Sequence, residues 1–322
     1  MTNLDTKRLI ANDENIRTTA QVLHDGGIVA FPTETVYGLG ADACNSTAVA
    51  KVFAAKGRPS FNPLIIHVSC IEDVERYAQF GDAAKTIAAQ FWPGPLSMVL
   101  PLLPNSPLSD LVTAGLDTVA VRIPQHPVGH ALIDVFGGAI AAPSANPSGR
   151  VSPTKAQHVY DGLNGKIDAI LDGGDCQVGL ESTIIMPMDN GRVALLRAGG
   201  ISVEAIEALI HQPLLRQEQP EVPQSPGQLL SHYAPDTDLK MNVAQPIENH
   251  AHLGFGDVEC DLNLSPSGDL IEAAANLFAM LRDIDDIAKR NNQRAISVAP
   301  IPDNGLGLAI NDRLKRAAAP RD

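Results

Sequence analysis

The sequence predicts an α/β protein in two unequal parts joined by a proline-rich segment. Three observations lead there. Apolar runs of strand length alternate with segments of helical period from residue 13 to residue 210. Residues 213–236 then carry Pro213, Pro220, Pro223, Pro226 and Pro235 among Gln and Glu, the composition of a semi-rigid extended linker. The alternation resumes over 237–322, the pattern of a small three-layer α/β domain. The expected division is 1–212, 213–236 and 237–322.

Each element has a local reason. Residues 13–25 place Ile16, Ala20 and Leu23 at helical spacing and stop at Gly26-Gly27. Residues 28–31 read as a buried strand that ends at Pro32 and leads into the hydroxyl-rich stretch 33–40. Ser46 can cap a helix running to Lys56, with Gly57 as its stop. A strand over 64–68 is interrupted by His67, which on local grounds is a satisfied core residue. Helices are expected over 72–80 and 82–91, and strands over 96–100 and 118–123. The turn 91–95 between them holds Trp92, the single tryptophan, which reads as core. A helix over 127–136, a strand over 139–142, a helix over 154–163, strands over 169–172, 182–187 and 192–197, and a helix over 202–210 complete the first part. In the second part, strands over 251–255, 259–264 and 295–301 alternate with helices over 269–285 and 305–318.

Composition removes several function classes. A length of 322 residues allows two domains, and an apolar fraction of 44% lets both bury a core. The net charge of −13 divides almost evenly, −7 up to residue 212 and −6 beyond it, so neither half is a basic module. An anion site must therefore be a local cationic pocket. Cys44, Cys70, Cys176 and Cys260 form no closely spaced pair, which reads as a reducing compartment. The N-terminus lacks a signal-peptide pattern and no apolar run is long enough to span a bilayer, so the expected location is the cytoplasm.

Two loops draw the chemistry together. Lys56-Gly57-Arg58-Pro59-Ser60-Phe61-Asn62-Pro63 puts two cations and a carboxamide on a stretch stiffened by proline. Ala142-Pro143-Ser144-Ala145-Asn146-Pro147-Ser148-Gly149 puts hydroxyls and a carboxamide on another. Such loops suit a polyphosphate, which needs charge neutralisation and donors for its oxygens. They are expected to face each other across a nucleotide site. Read locally, Lys56 and Arg58 also suit a helix C-terminus. Arg122 lies inside an apolar strand and needs either a carboxylate partner or an anionic ligand. Arg197 ends another strand. The phosphate-loop, serine-hydrolase and zinc-protease signatures are absent, and His126 and His130 are separated by proline and glycine, unsuited to a zinc helix. Without an obvious nucleophile, the chemistry favoured is positioning and charge stabilisation, as in nucleotidyl transfer.

Five motifs occur in order: Pro32-Thr33-Glu34-Thr35-Val36-Tyr37-Gly38-Leu39, Lys56-Gly57-Arg58-Pro59, Trp92-Pro93-Gly94-Pro95, Val121-Arg122-Ile123-Pro124 and Pro143-Ser144-Ala145-Asn146. Together they strongly resemble the YrdC-like domain of the L-threonylcarbamoyladenylate synthases. The likeness covers about residues 10–212. The linker with His232-Tyr233-Ala234-Pro235 and the trailing domain extend it to the long, two-domain form. The resemblance implies a YrdC-like twisted mixed sheet flanked by helices, followed by a smaller Rossmann-like domain.

It also implies a reaction. L-threonine, bicarbonate and ATP, with Mg²⁺ on the phosphates, give threonylcarbamoyl-AMP and pyrophosphate. A separate transferase complex then modifies tRNA. Carried over by position, Lys56 and Arg58 would be catalytic, and Lys56, Arg58, Asn62, Thr118, Ser144, Asn146, Ser152, Arg197 and Tyr233 would contact ATP. Thr35, His67, Arg122, Ala142 and Ser182 would hold threonine. No protein metal ligand is implied. The segment 225–235 would close as a lid. Gln228-Leu229-Leu230-Ser231 stands where the family often has a basic residue, with Arg150 as a candidate substitute. Two competing readings share the domain. One is a double-stranded-RNA-binding or ribosome-associated module without turnover, opposed by the −7 charge of the first part. The other is a carbamoyl-transfer maturation enzyme, whose Cys-rich segments are missing.

Overall fold

A computed structural model describes residues 4–188, 190–216 and 232–320. The chain begins with β1 (Lys7–Ile10), α1 (Asp13–His24), β2 (Val29–Phe31), β3 (Gly38–Asp42), α2 (Ser46–Lys56) and β4 (Ile65–His67). It continues through α3 (Ile71–Val74), α4 (Asp82–Phe91), β5 (Leu96–Pro101), α5 (Asp110–Thr113), β6 (Thr118–Arg122), α6 (Pro127–Phe136) and β7 (Ile140–Ala141). Then come α7 (Ala156–Leu163), β8 (Ala169–Asp172), β9 (Thr183–Pro187), β10 (Val193–Arg197), α8 (Val203–Ile210) and β11 (Leu215–Arg216). The second unit comprises β12 (Leu239–Lys240), β13 (His250–Gly254), β14 (Leu262–Asn263), α9 (Leu270–Arg290), β15 (Ala295–Val298) and α10 (Gly307–Ala317).

Eleven strands form one twisted mixed sheet in the order β1-β8-β2-β3-β7-β4-β6-β5-β9-β10-β11. The remaining four form a smaller, wholly parallel sheet, β12-β15-β13-β14. The expected fold class, a large mixed sheet followed by a smaller α/β unit, is what is found. Differences are local. The helix expected over 72–80 shrinks to α3, and the cap of α2 is Asn45, whose side chain accepts from the Thr47 and Ala48 amides. The linker region opens with β11, hydrogen-bonded alongside β10. Residues 217–231 lie outside the described residues, and with them most of the expected lid and the Gln228–Ser231 stretch.

Strand alternation decides what faces the site. One face of the large sheet carries Ile66, Val119, Val121 and Ile185 into the main core, with α2, α4, α7 and α8. On the other face α1 and α6 cover the β2 end, around Phe31, Leu132 and Ile140. Beyond them, Ile65, Val99, Ala120 and Ile184 form a small separate apolar floor. His67 follows Ile65 by two and Arg122 follows Ala120 by two, so both project from this floor. They are also register partners on the parallel pair β4 and β6. The two polar interruptions of apolar strands thus lie side by side.

The second unit seals this region. Its core continues into Val36, Val151 and Leu180 of the first unit. Arg282 of α9 donates to the Val151 carbonyl. Gly179, at φ +72, lies so close to α9 that a Cβ there would sit 2.4 Å from the Ala274 and Ala275 carbonyl oxygens.

Candidate active site

The two loops singled out from sequence touch directly. Lys56 is the last residue of α2 and is buried. Its Nζ donates to the backbone carbonyls of Ser144 and Asn146, and the Ser148 amide donates back to the Lys56 carbonyl at 2.8 Å. Burial, reinforced by Arg58, draws the Lys56 ammonium well below its usual pKa. Lys56 therefore clamps the two loops and stands behind the cavity wall.

The cavity itself is about 50 Å³ in volume. Its wall includes Thr35, His67, Arg122, Ala142 and Ser182, the whole expected threonine set. It also includes Arg58, Ser144, Arg197 and Tyr233 from the expected ATP set. Asn62, Asn146 and Ser152 are buried just behind these. Thr118 shares the face of Arg122 but lies four residues away on β6, about 13 Å along a strand; it is not part of the cavity wall.

Arg122 has a carboxylate partner, one of the two outcomes its strand position left open. Its Nη2 donates to Glu34 Oε1 at 2.6 Å, its Nη1 to Thr35 Oγ1 at 2.9 Å and its Nε to the Gly94 carbonyl at 3.2 Å. Glu34 Oε2 in turn accepts from the Gln125 amide at 3.0 Å. Three of the five guanidinium N–H groups are used among the described residues, leaving one on each terminal nitrogen. His67 sits beside it with pKa lowered to about 3, by burial first and then by Arg122, and stays a neutral imidazole at neutral pH. Its Nδ1 has no hydrogen-bond partner among the described residues.

Two further cations line the cavity. Arg197 donates from Nε and Nη2 to the Ser182 carbonyl at 3.2 and 2.9 Å. Arg58 is held by carbonyls of its own loop, Asn62 at 3.3 Å and Pro63 at 3.0 Å. Burial pulls the Arg58 pKa to about 10; Tyr233 opposes this and Arg197 adds to it. Glu181 also lines the cavity. Burial raises its carboxyl, but Arg313, Arg197 and the Ser152 hydroxyl outweigh that and hold it at about 2. The side-chain oxygens of Asn62 and Asn146 are buried without partners among the described residues. Unsatisfied buried polar atoms cost roughly 1–3 kcal/mol each, so the two carboxamides carry unused acceptor capacity in the loops beside the cavity.

His232 and Tyr233 close the cavity. Both are buried, and Tyr233 adopts φ +62, unusual for a residue with a side chain. The Tyr233 ring stacks on Phe278 of α9 at 5.3 Å. Burial, with Glu181, pushes its phenol up to about 12. Arg150, the candidate substitute for a linker cation, instead pairs with Asp236 and lies outside this cavity.

Sequence reasoning missed Glu34 and Glu181 as site residues. Both stand in stretches singled out for their hydroxyls, next to Thr35 and Ser182. It also missed Arg313, which reaches the site from α10.

A polar, cation-rich cavity on one face of a mixed sheet, closed by an aromatic residue that precedes the second unit, has the make-up of an enzyme site that takes anionic groups. A family described as "Telomere recombination" matches residues 21–199, and "Threonylcarbamoyl-AMP synthase, C-terminal domain" matches 201–319. The threonylcarbamoyl-AMP synthase of Bacillus subtilis is 43% identical, over 98% of this chain and 96% of that protein. The crystal structure of Pyrococcus abyssi Sua5 with L-threonine superposes with a TM-score of 0.87 at 37% identity, covering 97% of each chain. A shorter synthase, from Halorhodospira halophila, is 42% identical over 49% of this chain and 82% of its own length. The chain belongs to the threonylcarbamoyl-AMP synthase family.

Proposed function

We propose that this protein joins L-threonine, bicarbonate and ATP into L-threonylcarbamoyl-AMP with release of pyrophosphate, for threonylcarbamoyladenosine modification of tRNA. The observation that carries the reading is the pairing of His67 and Arg122 on the site floor, in one cavity with Arg58 and Arg197. One pair is fitted to an amino acid, the other to a polyphosphate. Glu34 and Thr35 fix the plane of Arg122 and leave one N–H on each terminal nitrogen for the threonine carboxylate, a bidentate fit. Neutral His67 offers a ring nitrogen to the threonine hydroxyl or amine.

The class of reaction is nucleotidyl transfer. Bicarbonate takes up a proton and loses water to give CO₂, the threonine amine adds to it and gives up a proton to form a carbamate, and the carbamate oxygen attacks the α-phosphorus as pyrophosphate leaves. The chain's part is to align these groups and neutralise charge through Arg58, Arg197 and the Ser144–Asn146 loop, which Lys56 holds in place. Mg²⁺ arrives with ATP as part of the substrate. Glu181 already has one oxygen on Ser152 and the other on Arg313, so phosphate oxygens and water would supply the ion's ligands.

Nucleotide pockets run to roughly 300–1,000 Å³, far above the space between His232, Tyr233 and the floor. ATP entry therefore requires the 232–235 segment to swing away and then re-close, excluding water from a labile product. Its free thiols suit a reducing compartment, which supports the cytoplasm as its place of work, with a tRNA-modifying transferase complex as the consumer of its product. Among the described residues no helix is long and apolar enough to cross a membrane.

The test is pyrophosphate release by the purified protein, with threonine and bicarbonate each present or omitted. Release that needs both, with threonine far better than serine, is expected. No release under any combination, with retention of double-stranded RNA instead, would overturn the reading in favour of a binding module.

A further inference from the structure

The final helix carries a cation that the reaction as written does not use. Arg313 sits on the apolar stripe of α10, between Ile310, Leu314 and Ala317, and is 0% exposed. Its guanidinium leaves the second unit's core and ends in the first unit. Nε donates to Glu181 Oε2 at 3.0 Å, and Nη1 to Asp312 at 2.9 Å. The guanidinium carbon lies 5.6 Å from the centre of the Tyr233 ring. Glu181 passes the contact on, since its other oxygen accepts from Ser152 Oγ at 2.7 Å.

A methionine or leucine at this position would fill the stripe without desolvating a charge, so core packing gives no reason for arginine. What a guanidinium adds is what it holds. Glu181 and Tyr233 both line the cavity, Tyr233 is itself assigned to ATP, and Glu181 accepts from Ser152, another residue assigned to ATP. Among the described residues Arg313 bonds to Glu181 and Asp312 and to none of Thr35, His67 or Arg122.

We propose that Arg313 is a positioning residue of the ATP half of the site, supplied by the second unit. It fixes Glu181, and through Glu181 the Ser152 hydroxyl, and it lays a planar cation against the Tyr233 ring. The nucleotide subsite is complete only when α10 is docked. The synthase of Halorhodospira halophila has 82% of its own length matched to 49% of this chain, so a member of the family lacks a counterpart to much of the rest. Arg313 accordingly acts on nucleotide affinity, and its loss weakens binding of ATP more than it slows the chemical step. The proposal rests on the ATP and threonine partition given above.

The experiment uses the full chain and three variants: Arg313→Met, Arg313→Lys, and Arg313→Met combined with Glu181→Gln. Readouts are KM for ATP and for threonine from pyrophosphate release, the Kd of a non-hydrolysable ATP analogue by calorimetry, and Tm. Arg313→Met should raise KM for ATP and the analogue Kd about tenfold or more, the scale of one lost charge-assisted contact. KM for threonine should stay within about threefold. Arg313→Lys, which keeps the charge but loses the fork, should recover part of the affinity. The double variant removes the stranded carboxylate, so its Tm should return toward wild type while the analogue Kd remains weak. An analogue Kd within about twofold of wild type in the double variant, or a threonine KM rising in step with that of ATP, would refute the positioning role. Absence of pyrophosphate release from the wild type would sink the proposed reaction instead, and the analogue titration would still report on Arg313.

Discussion

Replacing Lys56 by alanine should unfold the protein more easily as well as silence it. The Lys56 ammonium donates to two carbonyls, of Ser144 and Asn146, in a place that is 4% exposed. Alanine would leave both oxygens buried without a donor, at roughly 1–3 kcal/mol each. Part of that is returned, because an ammonium crowded by burial and by Arg58 is itself costly. The net is about 2–4 kcal/mol, or a Tm lower by roughly 5–15 °C for a unit of this size. Arg58→Ala is the control. Arg58 bonds only to its own loop at Asn62 and Pro63 among the described contacts, so its loss unties no second loop, and the half-buried space it vacates admits water to those oxygens. Its cost should stay below about 1 kcal/mol. Both variants should lose pyrophosphate release. Urea denaturation followed by circular dichroism, with Tm alongside, separates them. Equal stability of the two variants would refute the idea that Lys56 clamps the loops.

Arg122→Leu should raise KM for threonine far more than KM for ATP, and it should cost about 3–5 kcal/mol of stability by stranding Glu34; adding Glu34→Gln should return most of the stability but none of the threonine affinity in calorimetry. Acid should destabilise the fold through its neutral histidines. His67 and His232 both titrate near 3 when folded, against about 6.5 unfolded. The unfolded chain therefore binds their protons first, and stability falls as pH drops from about 6.5 toward 3. His67→Gln should flatten that slope in pH-dependent denaturation; an unchanged slope would show that His67 is not buried neutral. Asp285 accepts the Asp236 and Thr237 amides at 3.0 and 2.8 Å, directly after the closing aromatic. Asp285→Ala should cost roughly 2 kcal/mol in urea denaturation, whereas Arg150→Ala, at an exposed ion pair, should cost under about 1.

Much of the site was legible because folding rules punish its residues. A histidine and an arginine inside apolar strands need a reason, and His67 and Arg122 proved to be neighbours. Proline- and serine-rich loops pointed to Lys56–Pro63 and Ala142–Gly149 in the same way. What the chain did not display was who would meet whom. The glycine-rich β3 reads as loop, and β1, with Lys7 and Arg8, reads as surface; both are strands because distant partners pair with them. Glu34 and Glu181 were hidden by the hydroxyls beside them. Arg313 did carry a signal, since it falls three residues after Ile310 and four before Ala317 on the buried stripe. Its charged neighbours Asp312, Lys315 and Arg316 make the segment look solvated, and the partner that explains it is 132 residues away.

Gly179 gives the molecule an unusual point of leverage. The missing methyl at that position is what lets α9 sit against the first unit. A bulkier side chain there would act as a wedge, prising the two units apart while leaving every charged group of the pocket chemically intact. The enzyme thus offers a mechanical separation of binding from assembly: one could grade the opening with alanine, valine or leucine and read, dose by dose, how much of the nucleotide grip is borrowed from the neighbouring unit.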